Sequence, residues 1–284
     1  MAGRLLVVGT PIGNLGDLSP RAAEALRTVD LVVAEDTRMA ARLLAHVGAR
    51  RPTRSFNEHN TARRLPELLS RLAAGETLAL TTDAGMPGVS DPGATLVAAA
   101  RSAGAAVEVV PGPTAVTAAV ALAGEEASGF VFGGFLPARP ASARRAALER
   151  LLIAAASLDL PLVLYESPLR LGSLLRLLQE RAPAARLAVG RELTKRFEEV
   201  VTGTPQEVAA AMPERRGELT IVISGLAPAE GGTAGLDPRG LAAAAAAEGL
   251  SRRTMANLLR AGGLSRRDAY ELAGSVDVGA GTRR

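Results

Sequence analysis

The 284-residue sequence contains no cysteine and only two histidines, His46 and His59. Without cysteine the chain can form no disulfide, no thiol nucleophile and no thiolate metal site. Two imidazoles would need several carboxylates to complete a zinc site. We therefore expect a protein without a bound metal.

Long apolar runs are also missing. No segment reaches 18 consecutive apolar residues, the length that a membrane-spanning helix needs, and MAGRLLVVGT lacks the features of a signal peptide. With 48% hydrophobic and 22% charged residues, the composition is typical of a globular chain of one or two domains. These features predict a cytoplasmic protein with no membrane contact.

Aromatic residues and lysine are scarce. Seven aromatic side chains, none of them tryptophan, are too few and too scattered for base-stacking platforms. Lys195 is the only lysine beside 32 arginines, and the net charge is +4. Residues 237–284 hold eight arginines and five acidic residues, which suggests an anionic partner, although a solvated arginine-rich face explains them equally well.

In the first 115 residues, β-branched apolar runs alternate with alanine- and leucine-rich stretches of helical periodicity. The predicted strands are residues 5–8, 31–34, 77–81 and 107–110, and the predicted helices are residues 20–28, 39–47, 63–74 and 91–103. This alternation predicts an α/β domain over residues 1–115, with a parallel sheet and ligands beyond the carboxyl ends of its strands.

After Gly124 the predicted helices become fewer and shorter. Strands are predicted near residues 130–135, 162–165, 187–190, 197–202 and 219–223, and those in FEEVVTG and GELTIVISG read as partly antiparallel. The pattern predicts a second α/β domain at 116–225, a linker at 226–238 and a basic helical tail at 239–284. In the tail, GLSRR occurs twice with serine at a helix N-cap position, which indicates a helix-turn-helix-like unit.

The first predicted strand runs into GTPIGNLGD, with glycines at positions 9, 13 and 16. A P-loop requires a lysine that this stretch does not have. The dinucleotide fingerprint requires G-x-G-x-x-G, but Pro11 stands where the second glycine belongs and has no backbone N–H for a pyrophosphate. The residues indicate a tight turn with close backbone approach and exclude both nucleotide patterns.

Three further strand ends carry polar loops. In TTDAGMPGVSDPG, Asp83 could hydrogen-bond a ribose or an amino group, whereas Asp91 could instead cap the next helix. In PGPTA, Thr114 is in position to cap a helix, and in AEDTR the carboxylates and Arg38 are equally consistent with a salt-bridged helix start. Parallel strands bring such loops together at one edge of a sheet, which predicts a ligand site there.

Nine segments, in this order, closely resemble the tetrapyrrole methylase superfamily and, within it, the branch of ribosomal RNA small subunit methyltransferases I. They are GTPIGNLGD, EDTR, SFNEHN, TDAGMPGVSDPG, PGPTA, GGFLP, YESPLRL, RELTKRFEE and GELTIVISG. The resemblance implies S-adenosylmethionine as methyl donor, bound in a cleft between two α/β domains, usually in a homodimer. It also implies an acceptor, the 2′-hydroxyl of cytidine 1402 in 16S rRNA of the small ribosomal subunit.

Carried over motif by motif, the resemblance makes GTPIGNLGD a substrate-side loop. It implies donor contacts at Asp83, Ala84, Met86, Thr114, Ala115, Tyr165, Glu166, Leu193, Leu219 and Thr220. RNA recognition should then depend on arginine contacts to phosphates and weaken with salt.

The implied reaction is an in-line methyl transfer to a poorly nucleophilic hydroxyl, which proton removal should accelerate by about 10²–10⁴-fold. The candidate bases are Glu35, Asp36, Asp17 and Asp91, and the candidates for orienting or polarising the hydroxyl are Asn14, Arg38 and Lys195. Retention of one lysine among so many arginines suggests a need for its ammonium, although chance would also explain it. The sequence does not identify the base.

Three other functions stay open at this point. The chain could methylate a tetrapyrrole, it could methylate a protein histidine as in diphthine synthesis, or it could be a non-enzymatic RNA-binding assembly protein. The EDTR, RELTK and GTPIGN segments and the basic tail favour the RNA branch over the first two. An assembly protein would not need the TDAGMPGVSDPG loop.

Overall fold

A computed structural model describes residues 3–89, 91–212, 217–226, 238–247 and 250–276. Its first sheet is wholly parallel and has the strand order β3-β2-β4-β1-β5. The strands are β1 (Arg4–Val8), β2 (Leu31–Ala34), β3 (Thr53–Ser55), β4 (Thr77–Thr81) and β5 (Ala106–Val110). The predicted parallel sheet is confirmed.

Four helices cover the two faces of this sheet, namely α1 (Pro20–Thr28), α2 (Thr37–His46), α3 (Thr61–Ala73) and α4 (Gly93–Ser102). Because side chains alternate along a strand, Leu6 packs into the core with α1 and α2, whereas Leu5 packs into the core with α3 and α4. All four helices were predicted. Strand β3 was missed because its three residues, Thr-Arg-Ser, include no apolar side chain.

The second sheet has the order β6-β7-β10-β8-β9 and is mixed. Its strands are β6 (Val131–Phe135), β7 (Leu162–Glu166), β8 (Arg186–Arg191), β9 (Glu199–Gly203) and β10 (Leu219–Ser224). Only the pairing of β6 with β7 is parallel. The expected antiparallel character is present, but the expected pair is wrong, because β9 and β10 each pair with β8, which lies between them.

The helices of the second half are α5 (Ala115–Ala123), α6 (Ala141–Leu158), α7 (Pro168–Arg181) and α8 (Pro205–Ala211). The expectation of fewer and shorter helices here is wrong, because α6 has 18 residues and is the longest described helix. Its many alanines weaken the contrast between apolar and polar positions, on which a prediction of helix length depends. Helix α5 packs on the second sheet together with Ile12 from the loop after β1, so this core joins the two halves.

Three C-terminal helices, α9 (Pro238–Ala247), α10 (Arg252–Ala261) and α11 (Arg266–Ser275), share an apolar core of their own. Ser251 and Ser265 accept hydrogen bonds from the backbone N–H groups of Thr254 and Asp268, which confirms both predicted N-caps. Of the predicted linker, residues 227–237 lie outside the described residues. No described helix is both long enough and apolar enough to span a bilayer.

Candidate active site

A cavity of about 640 Å³ opens where loops of the two sheets face each other. This volume lies within the range of small-molecule sites. The ten residues to which the resemblance assigns donor contacts all line it: Asp83, Ala84, Met86, Thr114, Ala115, Tyr165, Glu166, Leu193, Leu219 and Thr220. We call this space the donor cavity, and its ligand stays a prediction.

The loops are held together by backbone contacts at glycines. Gly9 packs so closely against Gly112 that a Cβ on either residue would lie within 2.5–2.9 Å of backbone atoms of the other. Thr10 and Gly85 exchange backbone hydrogen bonds of 2.9 and 3.1 Å, which ties the loop after β1 to the loop after β4. Gly9, the first glycine of GTPIGNLGD, therefore allows two loops to pack closely. This agrees with the mismatch between GTPIGNLGD and the phosphate-binding patterns.

The charge of the donor cavity is one-sided. Its described lining has no lysine or arginine and five carboxylates, of which Glu166 is paired with Arg144 and Arg170, and Glu218 with Lys195. The other three, Glu35, Asp83 and Asp91, form no ion pair within the described chain. The whole chain, by contrast, carries a net charge of +4. Such a lining favours a cationic ligand and opposes a phosphate.

Glu35 follows β2 and lines the donor cavity. Its carboxylate accepts a 3.1 Å hydrogen bond from the Thr82 hydroxyl and forms no ion pair with any described residue. Burial, reinforced by the charges of Asp83 and Asp91, raises the pKa of Glu35 above its ordinary value, although the Thr82 hydrogen bond opposes the rise. A carboxylate with these properties is suited to accept a proton.

Asp83 follows β4 and also has a raised pKa, again mainly because of burial. Its carboxylate accepts the backbone N–H of Asp36 at 3.1 Å, which fixes it against the start of α2. A partly desolvated carboxylate that forms no ion pair within the described chain favours a positively charged or hydrogen-bond-donating ligand.

Two other candidate bases have structural roles. Asp36 caps α2 and is paired with Arg38, whose hydrogen bonds lower the pKa of the Asp36 carboxyl. This is the salt-bridged helix start that the EDTR stretch allowed. Asp91 accepts the backbone N–H groups of Gly88 and Gly93 and so stabilises the turn before α4.

Asn14 and Asp17 contribute to the loop itself. Asn14 caps a short 3₁₀ turn at Leu15–Asp17, and neither its side chain nor Asp17 lines the donor cavity. The exposed Arg38 side chain also lies outside that lining. The structure therefore brings Glu35 to the donor cavity and leaves Asn14, Asp17 and Arg38 outside it.

A second cavity, of about 530 Å³, adjoins the first and shares Ile12, Thr82, Asp83, Ala84 and Glu218 with it. Lys195, Arg42 and Asp36 also line this second cavity. The ammonium of Lys195 contacts Glu192 and Glu218 at 3.0 Å each. Burial lowers the pKa of Lys195, but these two carboxylates outweigh burial and raise it. Lys195 is therefore a cation and no base.

Aromatic side chains are less scattered than the sequence suggested. Four of the seven line the donor cavity: Phe130, Phe132, Phe135 and Tyr165. Tyr165 contacts Phe132 edge to face at 5.1 Å between ring centroids and Phe135 at 5.4 Å. The wall is assembled from two neighbouring strands, and composition could not reveal this. Nothing in the described chain gathers three or more His, Asp or Glu side chains as a metal site would.

The fold and the donor cavity define a class, namely two-sheet α/β proteins with a cavity of small-molecule size between their sheets. Comparison with known proteins is more specific. The family model of tetrapyrrole (corrin/porphyrin) methylases matches residues 4–209. The chain belongs to this family.

Curated relatives agree. Proteins named ribosomal RNA small subunit methyltransferase I match from Xylella fastidiosa, with 46% identity over 79% of this chain and 82% of theirs, and from Thermotoga maritima, with 42% identity over 78% and 99%. Uroporphyrin-III C-methyltransferase of Thermus thermophilus, solved with S-adenosylhomocysteine, shares the fold with a TM-score of 0.57 and 21% identity. That match covers 79% of this chain and 98% of the other.

Proposed function

We propose that the chain is an S-adenosylmethionine-dependent methyltransferase that methylates the 2′-hydroxyl of a cytidine in 16S rRNA of the small ribosomal subunit. The names of relatives up to 46% identical support small-subunit ribosomal RNA as the substrate, and the motif resemblance supports the cytidine and its 2′-hydroxyl. The observation that carries the donor is the lining of the donor cavity, where Glu35, Asp83 and Asp91 form no ion pair within the described chain and no described lysine or arginine is present. Methyl donors of this type carry a sulfonium and an ammonium, and both are cations.

The residues fit such a donor. Asp83 would face its cationic groups, and the aromatic wall around Tyr165 would cover apolar parts. Thr114 caps α5 through its hydroxyl, which fixes the loop that carries it. When bound, S-adenosylmethionine supplies an electrophilic methyl group on a positively charged sulfur.

Glu35 is our proposed general base. A carboxylate oxygen of Glu35 would accept the proton of the acceptor hydroxyl as the new carbon–oxygen bond replaces the methyl carbon–sulfur bond of the donor. The Thr82 hydroxyl holds that carboxylate in place at 3.1 Å. The raised pKa of Glu35 increases the proton affinity of its carboxylate.

We assign the acceptor ribose to the second cavity. This cavity shares the Thr82–Ala84 stretch with the donor cavity, so groups in the two spaces can meet there. Arg42 supplies positive charge for a phosphate next to the acceptor nucleotide, whereas the charge of Lys195 is balanced by Glu192 and Glu218. Because Lys195 is held by Glu192 and Glu218, we assign it to orienting the acceptor and not to proton transfer.

The decisive experiment incubates the protein with tritiated S-adenosylmethionine and small ribosomal subunits from cells that lack this gene. Label mapped by nuclease digestion to the ribose of one cytidine would support the proposal. No label in subunits, with donor still bound, would bring back a tetrapyrrole or a protein side chain as substrate. Failure to bind the donor at all would favour an assembly protein.

Two variants test the proposed base and the proposed donor-binding residue separately. Glu35→Gln should retain S-adenosylhomocysteine binding and lose about 10²–10⁴-fold in methylation rate. Asp83→Ala should lose donor binding while RNA binding is spared. The control is Glu24→Gln, which removes a carboxylate paired with Arg27 on the surface. Full activity of Glu35→Gln would exclude Glu35 as the base.

The C-terminal helices are our proposed RNA contact. Residues 238–247 and 250–276 hold six arginines and two acidic residues, a net charge of +4. Replacing Arg252, Arg253 and Arg266 by glutamine should weaken RNA binding and flatten its salt dependence, while donor binding stays unchanged. Arg101→Gln, on the exposed side of α4, is the control. Unchanged RNA affinity and salt slope would remove this role.

We also propose a homodimer that acts in the cytoplasm, where its ribosomal substrate is. Strand β5 is an edge of the first sheet, and the exposed Val109 leaves an apolar side chain on it. Such an edge is usually covered by a partner or protected. Light scattering should give twice the chain mass, and Val109→Glu should reduce it if this edge is the interface.

A further inference from the structure

Arg144 and Glu166 are the only charged residues that are buried in the described part of the chain, at 5% and 2% exposure. Arg144 lies in the second turn of α6, and Glu166 is the last residue of β7. The Arg144 guanidinium donates from Nη2 to Oε2 of Glu166. This buried ion pair has no part in the chemistry described above.

The second oxygen of Glu166 is also engaged. Its Oε1 accepts the backbone N–H of Ser167 at 2.8 Å and lies 2.8 Å from Nε of Arg170 in α7. Both carboxylate oxygens are therefore bound within the protein. Glu166 lines the donor cavity, but its carboxylate is committed to holding α6, β7 and α7 together.

Stability alone is a poor reason for such a pair. Removing two charges from water is costly, and well-packed apolar residues of similar volume are often as stable or more stable. Arg144 incurs a further cost, because its Nε and Nη1 are buried without a hydrogen-bond partner. What the pair supplies and an apolar pair cannot is a directional restraint on the end of β7.

That end of β7 is a wall of the donor cavity. Tyr165, Glu166 and Ser167 are consecutive lining residues, and Tyr165 carries the ring against which Phe132 and Phe135 pack. A displacement of this segment would move an aromatic side chain and two polar residues at once. An error of about 1 Å in the position of a substrate can cost about 10²-fold in reaction rate.

We propose that Arg144 is a positioning residue of the donor site, which fixes the 165–167 segment through the carboxylate of Glu166. The inference rests on the proposed function, because it uses the donor cavity as the site of S-adenosylmethionine. It predicts that loss of Arg144 weakens donor binding even where the fold is fully stable.

The test separates stability from positioning. In Arg144→Met the buried carboxylate loses a partner, so both the thermal midpoint and S-adenosylhomocysteine affinity should fall. In the double variant Arg144→Met, Glu166→Met, an apolar pair replaces the ion pair, and the midpoint should return to that of the unaltered protein or exceed it. Affinity should stay about tenfold or more below the unaltered protein.

Arg145→Met is the matched control, because Arg145 is the next residue of α6 and forms an exposed ion pair with Glu180. It should change neither property. If the double variant does not fold, Arg144→Lys retains the charge without the planar fork and should be folded with weakened affinity. Isothermal calorimetry with S-adenosylhomocysteine gives the affinity, and differential scanning calorimetry gives the midpoint.

Two failures can be told apart. If the unaltered protein binds no S-adenosylhomocysteine, the proposed function fails and the inference fails with it. The other failure concerns Arg144 alone. If the unaltered protein binds S-adenosylhomocysteine, and the folded double variant (or Arg144→Lys in its place) has an affinity within twofold of it, only the positioning role is refuted.

Discussion

Substitution of Gly9 by alanine tests whether the opening loop is a packing device. A Cβ built on Gly9 would lie 2.5 Å from the backbone nitrogen of Gly112, 2.6 Å from its Cα and 2.6 Å from Sδ of Met86. Ordinary contact begins near 3.4 Å, so the backbone of one loop must retreat by about 0.9 Å. Met86 is a flexible side chain that can move, but the Gly112 backbone belongs to the loop after β5.

Overpacking of this kind costs about 1–3 kcal/mol. For a chain of this size each kcal/mol lowers the thermal midpoint by about 2–4 °C, so Gly9→Ala should lose roughly 2–12 °C. Because Met86 and Thr114 carry this strain into the donor cavity, S-adenosylhomocysteine affinity should fall as well.

Gly16→Ala is the control within the same motif. Its Cβ would approach only the Asn14 side chain, at 3.2 Å, and it should shift the midpoint by about 1 °C or less. Calorimetry measures both quantities for the two variants. A Gly9→Ala protein with the midpoint and affinity of the unaltered chain would refute the packing argument.

Three further predictions concern titration and capping. The raised pKa of Glu35 predicts that kcat/KM falls, as pH decreases, at a higher pH than an ordinary glutamate would give, and that Glu35→Gln removes this limb from the pH profile. Because the folded-state pKa is raised, ionised Glu35 destabilises the fold above that pKa. Glu35→Gln should therefore have a higher thermal midpoint than the unaltered protein at pH 8, and this difference should disappear below the unfolded-state pKa of glutamate. Calorimetry that found the same difference between the two proteins at every pH would contradict this. Thr204→Ala removes the capping box that Thr204 forms with Glu207 at the start of α8, and denaturant unfolding should show a loss of about 1 kcal/mol.

The strands of the first sheet could be predicted because each is a short β-branched run between turn residues. Residues 31–34 and 77–81 agree with β2 and β4 at both ends. Strand β3 could not be predicted, because Thr53, Arg54 and Ser55 owe their conformation to pairing with β2 and not to any apolar pattern. Its existence depends on a neighbour that is distant in sequence.

The candidate site divides in the same way. Motif resemblance assigned ten residues that line one cavity, whereas the residues by themselves left four candidate bases open. The choice among them depends on three-dimensional partners, namely Arg38 beside Asp36 and the turn amides around Asp91. Arg144 was missed for the same reason, since a single arginine in an alanine-rich helix gives no sign that it will be buried against Glu166.

Charge is separated in this protein in a way that suits two unlike ligands. The donor cavity gathers carboxylates, and burial keeps the pKa values of Glu35 and Asp83 raised, so both gain from a cation placed beside them. The arginine-rich C-terminal helices have the opposite sign, as a phosphate backbone requires. A sequence of net charge +4 with so acidic a cavity therefore favours a cationic donor inside and a polyanionic acceptor outside. A cationic ligand alone would leave the basic helices without a ligand of opposite charge, and an anionic ligand alone would leave the carboxylates of the donor cavity without one.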